Sequence, residues 1–334
     1  MPGDEQYIEA PDAQLVTMFK DLALSRLMLG TVQFGMSYGI ANTSGRPTYE
    51  TARDIIAAAY EGGVNCLDTA ANYGTSEEVL GRALDELGLR DVFTVVTKIP
   101  LMGDDFDSQS AVDGFVESSV IRSLKRLKLQ VLPVCLFHAE DDFRYIESLL
   151  KLRERGLVRY VGCSVMTPTA TARIVASGLA DAVQLPTSVL DMRYLRQGIY
   201  REAARRGVGL FVRSIYLQGL LLMPEADIIP ELRGVIPVRR RLAEIAGRAG
   251  VSVAELAARY IQSLEGVTCA VVGVETVEQM RHNTELFSKG PLDASVVRAI
   301  EDAVPELPDE ILMPNKWSKR IPDAVPASRR PKAS

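Results

Sequence analysis

Eight short apolar runs, rich in β-branched and small residues, punctuate this chain at 27–30, 64–68, 92–97, 131–137, 160–164, 182–184, 209–212 and 269–272. Stretches with a helical apolar period separate them, as at 49–61, 76–87, 142–155 and 277–286. Alternation of this kind predicts a parallel sheet whose strands are joined by helical crossovers. Near-continuous apolar strands need both faces covered, which excludes an open antiparallel sheet. Eight such units favour a closed (β/α)8 TIM barrel over a doubly wound sheet, and no G-x-G-x-x-G follows the first run. Residues 14–26, alternating around a polar Lys20-Asp21 centre, read as an N-terminal hairpin plugging the barrel's amino end. From about Pro305 the chain turns Pro-rich and reads as a C-terminal extension. With no linker or low-complexity stretch before it, residues 1–334 read as one barrel domain, its core at about 26–301 and its extension at 305–334.

Chemistry-bearing side chains fall where such a barrel would collect them. Asp68, Tyr73, Lys98 and His138 each sit just past an apolar run, in the contexts NCLDTAANYG, TVVTKIP and PVCLFHAED. An acid, a phenol, an amine and an imidazole thus lie at the carboxyl ends of successive strands, the face on which barrel enzymes assemble their sites. Such a set can reduce a carbonyl. The oxygen needs a proton, and a phenol with a pKa of about 10 is a poor acid at neutral pH unless something stabilises its anion. An ammonium within about 4–6 Å does so, and a neighbouring carboxylate holds that ammonium charged. Tyr73 is then the general acid, Lys98 its tuner, Asp68 the lysine's partner and His138 the donor that orients the carbonyl. A strand-end lysine can instead form a Schiff base, which would make this an aldolase using Lys98. His282, the only other histidine, falls on a polar helix face and is expected in solvent.

Composition narrows the partners. A net charge of −5 argues against a nucleic-acid surface, and the basic tail SRRPKAS reads as a solvated terminus. Cys66, Cys135, Cys163 and Cys269 all lie in apolar runs without C-x-x-C spacing, so small buried thiols in a reducing compartment are expected, not disulfides or a metal site. No run approaches the roughly 18 apolar residues of a membrane span, and the acidic N-terminus is unlike a signal peptide. A cytoplasmic enzyme with a small-molecule substrate is the expectation.

At the four residues the chain resembles the aldo-keto reductases, whose tetrad is Asp, Tyr, Lys and His in this order. The resemblance runs from Arg26 to about Glu301. LGTVQFG at 29–35 is similar to the family's first strand, which implies that Gly30 and Thr31 lie along a nicotinamide cofactor. YGTSEEVLGRAL at 73–84 resembles the family's YGxSExxLGxAL stretch, with Ser76 expected as a helix cap. By the same resemblance Ser164 of VRYVGCS and Gln184 of AVQLP contact the nicotinamide carboxamide. Arg213, Ser214 and Gly219 of VRSIYLQGLLL belong to the loop beside the cofactor. Gly273, Glu275, Thr276, Gln279 and Asn283 of VVGVETVEQMRHN cradle its adenosine end, where a helix N-terminus supplies donors for phosphate.

Three departures stand out. Val165 replaces an Asn that in many relatives follows the fifth-strand serine. Arg213 occupies the position of an aromatic that stacks on the nicotinamide, a duty a planar guanidinium can also perform. Glu275 stands where NADP-preferring relatives carry Arg or Lys, and a carboxylate repels a 2′-phosphate while accepting from a free 2′-hydroxyl. The cofactor expectation is therefore NAD(P)H with a tilt to NADH, with Arg248 and Arg281 as nearby compensating charges.

Substrate signals are thinner. Asp104, Asp105 and Asp107 make residues 100–110 acidic, which disfavours a strongly anionic substrate there. Tyr216, Leu217, Leu221, Leu222 and Met223 could form an apolar wall, and Trp317 could close the mouth as a lid. RSxxLQGLL resembles a bacterial branch associated with sugar-coat biosynthesis, which implies a sugar-like aldehyde or ketone. The family also contains nucleotide-sensing accessory subunits, a non-catalytic alternative.

Overall fold

A computed structural model describes residues 16–38, 45–103 and 106–317. Strands β1 (Val16–Phe19) and β2 (Leu22–Ser25) pair antiparallel as a hairpin. Eight further strands follow: β3 (Leu27–Gly30), β4 (Cys66–Asp68), β5 (Thr94–Ile99), β6 (Leu132–Phe137), β7 (Val158–Ser164), β8 (Ala182–Pro186), β9 (Gly209–Arg213) and β10 (Val267–Gly273). They close into a barrel in chain order, β10 pairing with β3, and every pairing is parallel. The expected (β/α)8 fold is therefore present, with its hairpin; residues 14 and 15 of the expected hairpin lie outside the described residues.

Two-residue alternation separates an inner from an outer core. Met28, Cys66, Val96, Leu136, Ala182, Phe211 and Val271 fill the barrel interior, whereas Leu29, Leu67, Val95, Phe137, Val183 and Val212 pack outward into the larger cluster shared with the helices. One step further along the same inward face the side chains change character. Gly30, Asp68, Lys98, His138, Gln184, Arg213 and Gly273 lie two residues beyond inner apolar neighbours. The carboxyl rim thus replaces a packed layer with a polar one.

The amino end is filled. Phe19 packs edge-on against Tyr160 and Phe211, with ring centroids 5.2 and 5.3 Å away. Gly209 is needed there, since a Cβ would lie 2.5 Å from the Phe19 ring. Lys20 turns the hairpin at φ 54°, and Asp21 takes contacts from Arg159 and the Tyr160 hydroxyl.

Strand boundaries differ from the sequence reading in one way that matters. The third apolar run was expected at 92–97, but β5 spans Thr94–Ile99, so Lys98 lies inside the strand and not past it. Pairing explains the shift: Thr94 sits opposite Cys66 and Lys98 opposite Leu136, whereas Val92 belongs to the exposed preceding turn.

The extension is packed as far as it is described. Arg193 holds Asp309 at 2.7 Å, Arg196 donates to the Val304 carbonyl, and the buried Trp317 donates its indole N–H to the Ile311 carbonyl at 3.2 Å. Trp317 is accordingly a packing residue of the outer core and not a free lid. The basic tail lies outside the described residues, as do Asp104 and Asp105. All four cysteines are free and buried. Among the described residues no helix is long and apolar enough to cross a membrane, and no cluster of metal-ligating side chains occurs.

Candidate active site

Barrel closure brings the four sequence-selected residues to one mouth. Lys98 Nζ donates to Asp68 Oδ1 at 2.6 Å and to the Thr69 carbonyl at 2.8 Å, and its side chain is fully buried. The same amine stands 5.1 Å from the centre of the Tyr73 ring. His138 meets that ring edge-on, centroids 5.5 Å apart.

Tyr73 is positioned by backbone rather than by side-chain bonds. The loop after β4 passes the segment after β3 so closely that a Cβ on Gly35 would lie 1.6 Å from the Tyr73 carbonyl oxygen, and one on Gly74, at φ 56°, would lie 2.4 Å from the Gly35 carbonyl oxygen. Two glycines thereby set the height of the phenol over the rim. Beneath it, Ser76 is not the expected helix cap. Thr75 holds the N-cap position of helix Ser76–Glu86, without a side-chain bond. The Ser76 hydroxyl is instead buried in a knot, donating to the Thr31 carbonyl at 2.8 Å and accepting from Thr69 Oγ1 at 3.0 Å. A helix that starts against two strand ends finds better partners there than its own amides.

Electrostatics divide the roles. Burial pulls the Lys98 ammonium down, but Asp68 and Tyr73 more than offset it, so the group stands above the ordinary lysine value and is charged at neutral pH. Burial raises the Tyr73 phenol and outweighs the lowering by Lys98. The sequence reading expected the lysine's influence to dominate; depth in the mouth reverses that balance. Burial, then the charges of Lys98 and Arg213, hold the His138 imidazole down at about 3. It is neutral at pH 7, and its buried Nδ1 has no hydrogen-bond partner among the described residues.

Residues assigned by resemblance to the cofactor ring the same mouth. Gln184 Nε2 donates to Asp68 Oδ1 at 2.7 Å, an interaction that no local sequence signal foretells. Its buried Oε1 has no partner among the described residues, an acceptor open to an external amide donor. Ser164 ends β7 opposite Gln184, and both are buried. Thr31 donates its amide and hydroxyl to the Asp68 carbonyl at 2.9 and 2.8 Å, so it braces β3 against β4 as well as flanking the rim. The Val165 amide donates to the Gln184 carbonyl at 2.8 Å, and Arg213 Nη2 donates to the Val165 carbonyl at 3.0 Å.

Beyond β9 the loop is strained: Ser214, Leu217 and Gln218 take φ values of 63°, 49° and 52°, with Gly219 at 92°. Such strain in non-glycine residues concentrates at ligand-binding segments. Gln218 reaches Tyr38 at 3.2 Å, and Tyr216 reaches Asn283 at 3.5 Å. Leu217 and Leu221 of the expected apolar wall are buried in the outer core, whereas Leu222 is exposed. After β10, Thr276 caps helix Val277–Ser288 through the Gln279 amide, and Gln279 Oε1 accepts from the Glu275 amide at 2.7 Å. Gln33 Nε2 donates to Glu275 at 3.3 Å, and a Cβ on Gly273 would lie 2.6 Å from the Gln33 amide. His282 is exposed, as expected.

A family model described as the aldo/keto reductase family matches residues 26–305. The L-glyceraldehyde 3-phosphate reductase of Escherichia coli O157:H7 is 26% identical over 301 residues, covering 79% of this chain and 86% of that protein. The D-arabinose 1-dehydrogenase of Saccharomyces cerevisiae is 28% identical over 294 residues, covering 80% and 84%. The holo form of an aldo-keto reductase from Bacillus halodurans shares the fold, with a TM-score of 0.70 at 23% identity over 87% of this chain and 96% of that one. With eight parallel strands, a charged amine beside a buried phenol and a family match over most of its length, the chain belongs to the aldo/keto reductase family and is an NAD(P)-dependent oxidoreductase that interconverts carbonyls and alcohols.

Proposed function

We propose that Tyr73 exchanges the proton with the substrate oxygen, that Lys98 and Asp68 set its acidity, and that neutral His138 donates to the carbonyl and orients it. The observation that carries this reading is the unbroken Asp68–Lys98–Tyr73 contact line, 2.6 Å from carboxylate to amine and 5.1 Å from amine to ring. Because burial raises the phenol, Tyr73 keeps its proton at neutral pH until a developing alkoxide draws it away. The ammonium then faces a phenolate, a charge pair that exists only as the reaction proceeds, which is where stabilisation accelerates a step. In the reverse direction the phenolate takes the alcohol proton.

The residues present fit a nicotinamide dinucleotide: the buried Gln184 Oε1, without a partner among the described residues, suits its carboxamide. When bound, it supplies or accepts the hydride. Ser164, Gln184 and Arg213 would hold the ring end, Gly30, Thr31, Ser214 and Gly219 its middle, and Gly273, Glu275, Thr276, Gln279 and Asn283 the adenosine end. Glu275 favours NADH, since it presents a carboxylate and not a cation beside the helix N-terminus.

The substrate is a polyhydroxylated aldehyde or ketone, a reading supported by the sugar-derived compounds in the relatives' names. The four free, buried cysteines suit a reducing cytoplasm. A Schiff-base aldolase fits less well, because Lys98 is locked as an ammonium by Asp68 and the Thr69 carbonyl, and an ammonium is no nucleophile.

Tyr73→Phe tests the reading. Carbonyl turnover across an aldehyde, ketone and sugar panel should fall about 10²–10⁴-fold, with NADH affinity within about twofold of the original. An undiminished rate would remove Tyr73 from its role.

A further inference from the structure

The two cations facing the mouth are not treated alike. Lys98 is matched by Asp68, 2.6 Å away. Arg213 is partly buried and has no carboxylate within ion-pair reach among the described residues; its Nη2 is held only by the Val165 carbonyl at 3.0 Å and Met166 Sδ at 2.9 Å. Among the described residues, therefore, no carboxylate pairs with its charge.

Strand geometry says where that charge points. Arg213 ends β9 opposite Pro186 of β8, two residues beyond Phe211, which lies opposite Gln184. Its guanidinium then bonds to the residue just past the end of β7. The side chain consequently crosses over the end of β8, on the side of the barrel where Gln184 presents its unpartnered oxygen. That oxygen is the acceptor assigned above to the nicotinamide carboxamide, so the inference rests on the cofactor reading of Gln184.

A dihydronicotinamide ring is neutral, and it becomes a cation when it gives up hydride to a carbonyl carbon while a proton goes to the oxygen. The dinucleotide's phosphates carry the same charge in both forms. A fixed guanidinium beside the ring therefore leaves the reduced form untouched and repels the oxidised one. At short range in a partly dry site such a like-charge contact is strong.

We propose that Arg213 makes this site discriminate between the two redox states of its dinucleotide, holding the reduced form and expelling the oxidised one. The residue acts as a specificity determinant that biases the enzyme toward carbonyl reduction. Bound oxidised product would be destabilised and leave early, and a reaction that starts from alcohol and oxidised dinucleotide would begin with poor binding.

Substrate-free titrations of NADH and NAD⁺ by protein fluorescence and calorimetry test this, using the full chain, Arg213→Gln and Arg213→Lys. The ratio of the NAD⁺ to the NADH dissociation constant should fall about tenfold or more in Arg213→Gln, mainly by tighter NAD⁺ binding. It should stay within about threefold of the original in Arg213→Lys, which keeps the charge. Raising the salt should shrink the ratio in the original protein and leave it flat in the Gln variant. An unchanged ratio in Arg213→Gln, or equal weakening of both forms, overturns the proposal. Should Arg213→Gln not fold, a salt-independent ratio in the original protein does so. Failure of the original chain to bind either dinucleotide would instead sink the cofactor reading on which the inference rests.

Discussion

Gln184 and Lys98 converge on one oxygen: Asp68 Oδ1 accepts from the amide at 2.7 Å and from the ammonium at 2.6 Å. The carboxylate that fixes the lysine also fixes the side chain assigned to the cofactor. Proton supply and dinucleotide placement are thereby joined in one buried group.

Replacing Gln184 with Met removes both ends of that junction at nearly constant volume. Losing a hydrogen bond to a buried carboxylate should cost about 2 kcal/mol of stability, seen as a lower urea midpoint. Dinucleotide affinity should drop by about an order of magnitude in fluorescence titration, as the carboxamide loses its acceptor. Unchanged affinity would mean that Gln184 serves Asp68 alone.

Lys98→Met strands a buried carboxylate and should destabilise the fold by about 3–5 kcal/mol, whereas Lys98→Met combined with Asp68→Leu should recover part of the loss. Urea denaturation of the two singles and the double closes the cycle. A double variant whose loss equals the sum of the singles would show that the pair is not coupled.

The depressed imidazole of His138 gives stability a definite pH dependence. Burial, then the charges of Lys98 and Arg213, hold it at about 3 in the folded chain, against about 6.5 when unfolded. Between those values the unfolded state binds more protons, so stability is retained near pH 7 and falls as the pH drops through that window. His138→Gln should lose about 1–2 kcal/mol less than the original chain between pH 7 and 4.5, a value discounted for partial exposure. The original enzyme's kcat/KM should show no histidine limb near neutrality; a limb that vanishes in His138→Gln would refute the neutral assignment.

Glu275→Arg places a cation where a carboxylate now accepts from Gln33. NADPH affinity should rise by about tenfold at low salt, and the gain should shrink as ionic strength rises. Comparison of NADPH and NADH dissociation constants at two salt concentrations decides it, and indifference to the substitution would place Glu275 away from the adenosine.

Much of this was legible before any coordinates. The barrel follows from eight apolar runs, and the tetrad from four reactive residues at their ends, because strand period and chain order are local properties. What stayed hidden depends on closure. Asp68 and Gln184 are 116 residues apart and meet only when β4 and β8 face each other across a closed interior. The sequence puts Lys98 just past a strand because the apolar run stops at Thr97, although pairing with β6 carries the strand on to Ile99. Ser76 looked like a cap because its sequence neighbours fit one, and nothing nearby foretold the Thr31 and Thr69 contacts.

The hairpin closes the amino end of a barrel whose interior is already packed. Phe19, seated between Tyr160 and Phe211, anchors that end, so the polar rim at the carboxyl end can be reshaped by its loops while the base of the barrel stays fixed.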